Sequence, residues 1–258
     1  MIGGLVLAAA CGRVGFDLQA GNPGDSGTGG DGADGADGAD GPAGAIAFVQ
    51  KAPATLKPVE CTANTCSATL PAPTRAGDLV VVLVTISDTT LQTIASLGDN
   101  QGAPSYSLAT TDTISLGGNH GRVAIYYREN VPAAALFTVT VTTAPVTYFD
   151  LVVLEYSGIA TTNPLVTTSS NKCPSNCTTM LDAGALGDGD LSVAAFTTNN
   201  ATPGAITTGA GWNELAIETD SAIGIIGAAD RIGAGNSIAT WTVAVTPPWV
   251  GVGAKFRP

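Results

Sequence analysis

Side chains able to carry chemistry are few in this chain, and they fall into four groups. Cysteine is the first. Cys61-x4-Cys66 and Cys173-x3-Cys177 form two close pairs, each in a polar turn just ahead of an apolar run, and Cys11 stands apart from them. This spacing suits short-loop disulfides, 61 with 66 and 173 with 177, in an oxidising compartment. Two close pairs are also the signature of a four-thiolate zinc site, although the gaps here exceed the usual two residues. The second group is the single histidine, His120, in Gly117-Gly118-Asn119-His120-Gly121; that stretch reads as a solvated hairpin tip rather than a catalytic base. Carboxylates are the third group. A glycoside-hydrolysing pair would have to be drawn from Asp88, Asp99, Glu155 and Asp220. Asp188 and Asp190 around Gly189, and Asp99-Asn100, offer oxygens to a structural calcium, although turn formation explains them equally well. Aromatic rings are the fourth. Tyr148-Phe149, and Trp249 after Pro247-Pro248, sit at loop-to-strand junctions where a ring face could pack on a sugar. Tyr106 and Trp212 occupy equivalent places in two repeats and read as core anchors.

The elements that must position these groups come from a duplication. Gly77-Asp78-Leu79-Val80-Val81-Val82-Leu83-Val84-Thr85 recurs as Gly189-Asp190-Leu191-Ser192-Val193-Ala194-Ala195-Phe196-Thr197. Thr138-Val139-Thr140-Val141-Thr142 is answered by Thr240 to Thr246, and Leu151 to Tyr156 by Val250 to Phe256. The unit, roughly 90 residues, is too long for a solenoid repeat or propeller blade. Strand-like runs alternate with turn signals throughout, which predicts an all-β, two-sheet antiparallel sandwich of jelly-roll type. Strands are expected at Leu79–Ile86, Tyr106–Thr110, Val123–Arg128, Phe137–Thr142 and Leu151–Tyr156. In the second half they fall at Leu191–Thr197, Leu215–Glu218, Ile223–Ala228, Ala239–Val245 and Val250–Phe256. The run Thr138–Thr142 alternates, so its valines face a core and its threonines face out. Leu151–Leu154 does not alternate, which predicts a central strand covered on both faces.

Composition narrows the function classes. Charged residues make up 12% of the 258, and the formal net charge is −11. No cluster of Lys or Arg could neutralise phosphates, so no nucleic-acid partner is expected. No nucleophile elbow, His-rich zinc motif or phosphate-cradling loop is present. The expectation is a non-enzymatic protein with no catalytic residues, no metal ligands and no cofactor beyond that structural calcium.

Residues 1–11 are apolar and too short to span a bilayer. Leu7-Ala8-Ala9-Ala10 before Cys11 resembles the lipobox of bacterial lipoproteins, which implies lipidation of Cys11. It departs from that pattern in having Ala8 where a large aliphatic residue is usual, and in lacking Lys or Arg ahead of the apolar run. Residues 12–44 then read as a linker. Glycine recurs every third position from Gly21 to Gly27 and, in a shifted phase, from Gly29 to Gly44, with six Asp against Arg13 alone. A collagen-like helix would need an unbroken phase, so the run reads as a flexible, self-repelling tether. The β-sandwich domain is expected over 45–258, with repeat halves at about 61–158 and 173–258, treated as one domain rather than two tandem modules.

The order Gly-Asp-Leu-Val-Val, Ile-Tyr-Tyr-x-x-Asn-Val, Thr-Val-Thr-Val-Thr, Leu-Val-Val-x-Glu-Tyr-Ser-Gly, then Gly-Asp-Leu-x-Val-Ala, Ala-Asp-Arg and a closing Ala-x-Phe-Arg-Pro resembles exported bacterial β-sandwich modules of lipoproteins and adhesin-like surface proteins. The resemblance covers Phe48 to Pro258 and implies fold and export, not activity. Together these readings lead to a lipid-anchored protein at the outer membrane or cell surface, attached to the membrane only through its N-terminal lipid. Its sandwich would bind an extracellular glycan or a surface protein through Tyr148, Phe149 and Trp249. A self-assembling surface or matrix component is the alternative, and a polysaccharide-degrading domain a second one.

Overall fold

β-branched residues crowd the apolar runs, and Gly, Asn and Asp sit where the backbone must turn through positive φ, so the chain forms strands. A computed structural model describes residues 45–258 apart from 103–104, 145–147, 188–189, 200 and 220–224. Cys11 and the tether of 12–44 lie outside the described residues. In the first half come β1 (Ala47–Ala52), β2 (Val59–Cys61), β3 (Thr65–Thr69), β4 (Leu79–Asp88), β5 (Thr93–Asp99), β6 (Ser107–Leu116), β7 (Asn119–Arg128), β8 (Thr138–Ala144) and β9 (Phe149–Ser157). The second half supplies β10 (Leu165–Cys173), β11 (Met180–Ala185), β12 (Leu191–Thr198), β13 (Ile206–Thr208), β14 (Asn213–Glu218), β15 (Ile226–Ile232), β16 (Ile238–Val243) and β17 (Trp249–Phe256).

All the pairings are antiparallel, and the two halves repeat them. The first half has a large sheet ordered β1-β9-β4-β7-β6, with β2 extending the β1 edge, and a small sheet β3-β8-β5. The second has β10-β17-β12-β15-β14 and β11-β16-β13. Each half thus runs its chain back and forth between a large and a small sheet in jelly-roll order. Register is repeated as closely as order. Leu79 faces Tyr156 as Leu191 faces Phe256, and Val81 faces Tyr127 as Val193 faces Asp230. Even the bulges recur, between Phe48 and Gln50 and between Leu165 and Thr167. The duplication read from the sequence is therefore a duplication in space, and the sandwich is made twice.

Three cores hold the layers together. One fills the first sandwich with Val80, Val82, Val84, Phe149, Leu151 and Val153, and another fills the second with Phe196, Trp241 and Trp249. The third lies between the two large sheets, where Val81, Leu83, Val152 and Leu154 meet Val193, Val250, Val252 and Phe256. The stacking is therefore small, large, large, small. That explains the unalternating runs: the apolar side chains of β4 and β9 are buried on both faces, in one core or another. The valines of β8 point inward, while Thr138, Thr140 and Thr142 pair across the outer face with Thr69, Ser67 and Thr65 at 2.8–3.1 Å. Those threonines face out, as their alternation predicts.

Contacts across the large sheets follow an approximate two-fold axis. Tyr156 on β9 meets Asp230 on β15, and its equivalent Phe256 on β17 meets Tyr127 on β7. The two halves associate through the same face, as in an isologous dimer fused into one chain.

Candidate functional site

Both cysteine pairs are disulfides, 61–66 and 173–177. Cys61 ends β2 of the large sheet and Cys66 lies in β3 of the small one, so this bridge pins the crossing between sheets. Cys173 closes β10 in the same role. All four sulfurs are consumed, so these cysteines cannot form a zinc site.

The three aromatic residues expected to bind ligand do not form a platform. Phe149 is fully buried in the first sandwich core and Trp249 is 4% exposed in the second. Alternation along β9 and β17 turns both rings inward, so neither can meet a sugar, and only Tyr148 faces solvent. Trp212 and Tyr106 pack against the two cores as anchors. His120 follows the Gly117-Gly118 tip and shares a hydrogen bond with Ser115 at 2.7 Å. Of the four carboxylates from which a hydrolytic pair could be drawn, Asp88, Asp99 and Glu155 are described, and each is engaged in its own place. Asp99 is paired with the buried Arg128. Asp88 accepts from the backbone of Thr89 and from Gln92 at the far end of β4, whereas Glu155 sits opposite Val80, roughly 26 Å away by strand rise. Asp220 and Asp188 lie outside the described residues, and Asp190 faces Lys255 at 3.9 Å.

The residues that do converge lie at the seam between the two large sheets, where β1, β2 and β9 of the first half meet β14 and β15 of the second. At one end is a pocket of about 210 Å³ lined by Phe48, Lys51, Asn213, Glu214, Leu215 and Asp230. Phe48 forms one wall, edge to face with Tyr156 at 5.7 Å, and is 41% exposed. Under it, the Tyr156 hydroxyl donates to Asp230 at 2.7 Å and the Asn213 amide donates to the other carboxylate oxygen at 3.0 Å. Lys51 donates to the Leu215 carbonyl across the seam. Burial pushes the Asp230 carboxyl up from its usual range, opposed by the donors Tyr156 and Asn213 and by Lys51. Burial also draws the Lys51 ammonium down, opposed by Asp230 and Glu214.

No family model, curated protein or solved structure matches this chain.

The molecule therefore supplies its own comparison, because each seam position has an equivalent across the two-fold. The equivalents of Phe48, Lys51, Tyr156, Asn213, Glu214 and Asp230 are Leu165, Thr168, Phe256, Ser107, Leu108 and Tyr127. There the Tyr127 and Phe256 rings pack edge to face at 5.4 Å. At one end of the seam two rings pack together, and the other carries two carboxylates, an ammonium and an amide around a pocket. A buried charge costs stability unless it is paired, and an uncharged solution is already present in the same fold. Joining the halves does not require the charged version.

A second differentiated cluster lies further along the same edge. Asp150 on β9 is fully buried beside Thr85, and Glu60 of β2 and Glu218 of β14 stand near it. Lys57, from the loop between β1 and β2, bridges Glu60 and, at 3.6 Å, Glu218. Burial raises the Asp150 carboxyl well above the ordinary range, reinforced by Glu218 and Glu60 and opposed by Thr85 and Lys57. Sequence reading misses both clusters, because they arise where sheets from different halves meet. A signal is present, though: a carboxylate at repeat positions where the other copy is apolar, Asp150 against Val250 and Glu214 against Leu108.

Proposed function

We propose that this chain is an exported, surface-held, non-catalytic binding module whose seam pocket takes one ring of an extracellular glycan. The observation that carries this reading is the asymmetry of the duplicated seam. The copy with Phe48, Lys51, Asn213, Glu214 and Asp230 holds a pocket, whereas in the copy with Leu165, Thr168, Ser107, Leu108 and Tyr127, here termed the closed copy, the Tyr127 ring packs on Phe256. An exposed ring beside a few converging polar groups is the composition of a sugar subsite, with the ring covering C–H surface and the polar groups fixing hydroxyls. The volume lies below the ~300–1,000 Å³ of pockets for drug-sized ligands, which favours a single ring or chain end.

Two disulfides fit an oxidising compartment. The apolar segment ending at Cys11, followed by the acidic tether, fits a lipid anchor that holds the module away from a membrane. The test is an array of bacterial, plant and animal glycans probed with the wild type, F48A and E214L, the last importing the residue of the closed copy. Wild-type binding that falls at least ten-fold in both variants supports the reading. Absence of any glycan signal, or binding indifferent to both substitutions, overturns it.

A further inference from the structure

We infer that the cluster of Glu60, Asp150 and Glu218 is a calcium site, whose place is held by the Lys57 ammonium when the ion is absent. The duplicated half differs at each of these positions. The strand positions equivalent to Glu60, Asp150 and Glu218 hold Lys172, Val250 and Asp112. That copy is electrically closed: Lys172 pairs with Asp112 at 2.9 Å over the buried, apolar Val250. The other copy has an acid in place of the lysine and an aspartate in place of the valine, so three carboxylates stand where the fold manages with a neutral set.

An independent observation points to a ligand. Asp150 is fully buried, and neither of its carboxylate oxygens meets a donor in full hydrogen-bond geometry; the Thr85 hydroxyl beside it is the one group close enough to favour its charged form. A buried carboxyl in this condition is completed by an ion, a water or its own proton, and the acids around it favour the ion. Calcium takes six to eight oxygens in flexible geometry, with carboxylates bound through one or both atoms, and the cluster offers up to six carboxylate oxygens plus the Thr85 hydroxyl. Magnesium needs a tighter octahedron and gives up water reluctantly, which suits a partly buried three-carboxylate seam poorly.

In the present arrangement no three acidic, histidine or cysteine side chains among the described residues share a metal geometry. Lys57 accounts for that, since it draws Glu60 and Glu218 to itself. Its loop interrupts the edge between β1 and β2, where the second half runs one continuous strand, and it reaches β14 through a 2.8 Å bond from the Ile217 amide to the Leu56 carbonyl. With its side chain 60% exposed, Lys57 can leave readily. Binding then exchanges one charge held by a flexible stem for two held by an ion that ties β2 and β9 to β14.

The full chain is melted, and titrated calorimetrically, in calcium chloride, magnesium chloride and EDTA. The wild type should melt several degrees higher in millimolar calcium than in EDTA, and magnesium should give less than half that shift. D150V copies the residue of the duplicate and should fold while losing the calcium shift; E218Q provides the same test should D150V fail to fold. K57A should bind calcium several-fold more tightly. Coincident wild-type melts in calcium and EDTA overturn the inference. So does a full shift retained in both D150V and E218Q, which would assign the ion to the acidic tether, or an equal response to magnesium.

Discussion

Three buried carboxyl groups, Asp78, Asp150 and Asp230, are pushed up by burial, and each makes the fold depend on pH in the same direction. Asp78 is the one with a usable midpoint, raised to about 7 by burial and by Glu155 beside it, with Arg75 opposing. A folded-state pKa above the unfolded one means that the native state holds its proton more tightly. Its stabilising contribution is complete below about pH 4 and is lost as the pH rises to about 7. Melting temperature should therefore fall between pH 4 and 7, and D78N should remove Asp78's share, gaining about 1–2 kcal/mol over wild type at pH 8. An unchanged pH profile in D78N would show that Asp78 does not titrate in that window. The repeat sharpens the point: Asp190 and Lys255, the equivalents of Asp78 and Glu155, face each other with opposite charge. At Asp150 the expectation is a gain. D150V in EDTA at pH 7.5 should raise stability by about 1–3 kcal/mol, because a buried carboxyl with only Thr85 to favour its charge gives way to the side chain the fold tolerates in its other copy. A loss of stability in D150V would mean that Asp150 has a partner holding it in place.

At the scale of elements, the seam sets how closely strands approach. A Cβ added at Gly121 on β7 would come within 2.1 Å of the Thr198 carbonyl oxygen on β12, backbone that cannot swing aside. G121A should cost about 1–3 kcal/mol in a denaturant melt, whereas G118A at the solvent-facing tip should cost less through contacts and show only the strain of its positive φ. Equal losses at the two sites would argue that β7 and β12 are not in contact. Legibility follows the same division. The central strands were readable, since β4, β8, β9, β12 and β17 carry β-branched runs or strict alternation that only a pleated, buried setting explains. Edge strands were not: Leu165–Cys173 is mostly Thr, Ser, Asn and Lys, because one of its edges and much of its surface meet water, and it looks like a loop. β3, β5 and β13 are short or polar for the same reason. The disulfides could be read from spacing alone because each closes a local loop. The aromatic site could not, since whether Phe149 and Trp249 point inward depends on strand phase, and a loop-to-strand junction hides that phase. Both seam clusters join residues more than 100 positions apart, a distance no local pattern reaches.

For the whole molecule, one core shared by the two large sheets means that neither half can unfold without exposing Val81, Leu83 and Val152 on one side or Val193, Val250 and Val252 on the other. Heating should therefore give one cooperative transition in calorimetry, with calorimetric and van't Hoff enthalpies in agreement; two separated transitions would show that the halves are energetically independent. Duplication followed by divergence is the larger theme. At each seam site one copy is uncharged or charge-paired, so the fold does not need the charge gathered in the other copy to join its halves. The central claim, that only the open copy binds, can be tested residue by residue. Backbone amide NMR spectra would be recorded while the chain is titrated with a panel of monosaccharides, including neutral, amino and acidic sugars. The account predicts shifts at residues 48–51, 213–215 and 230 and none at 165–168, 107–108 and 127. Shifts at the closed copy, at both copies equally, or at neither with every sugar in the panel would contradict it.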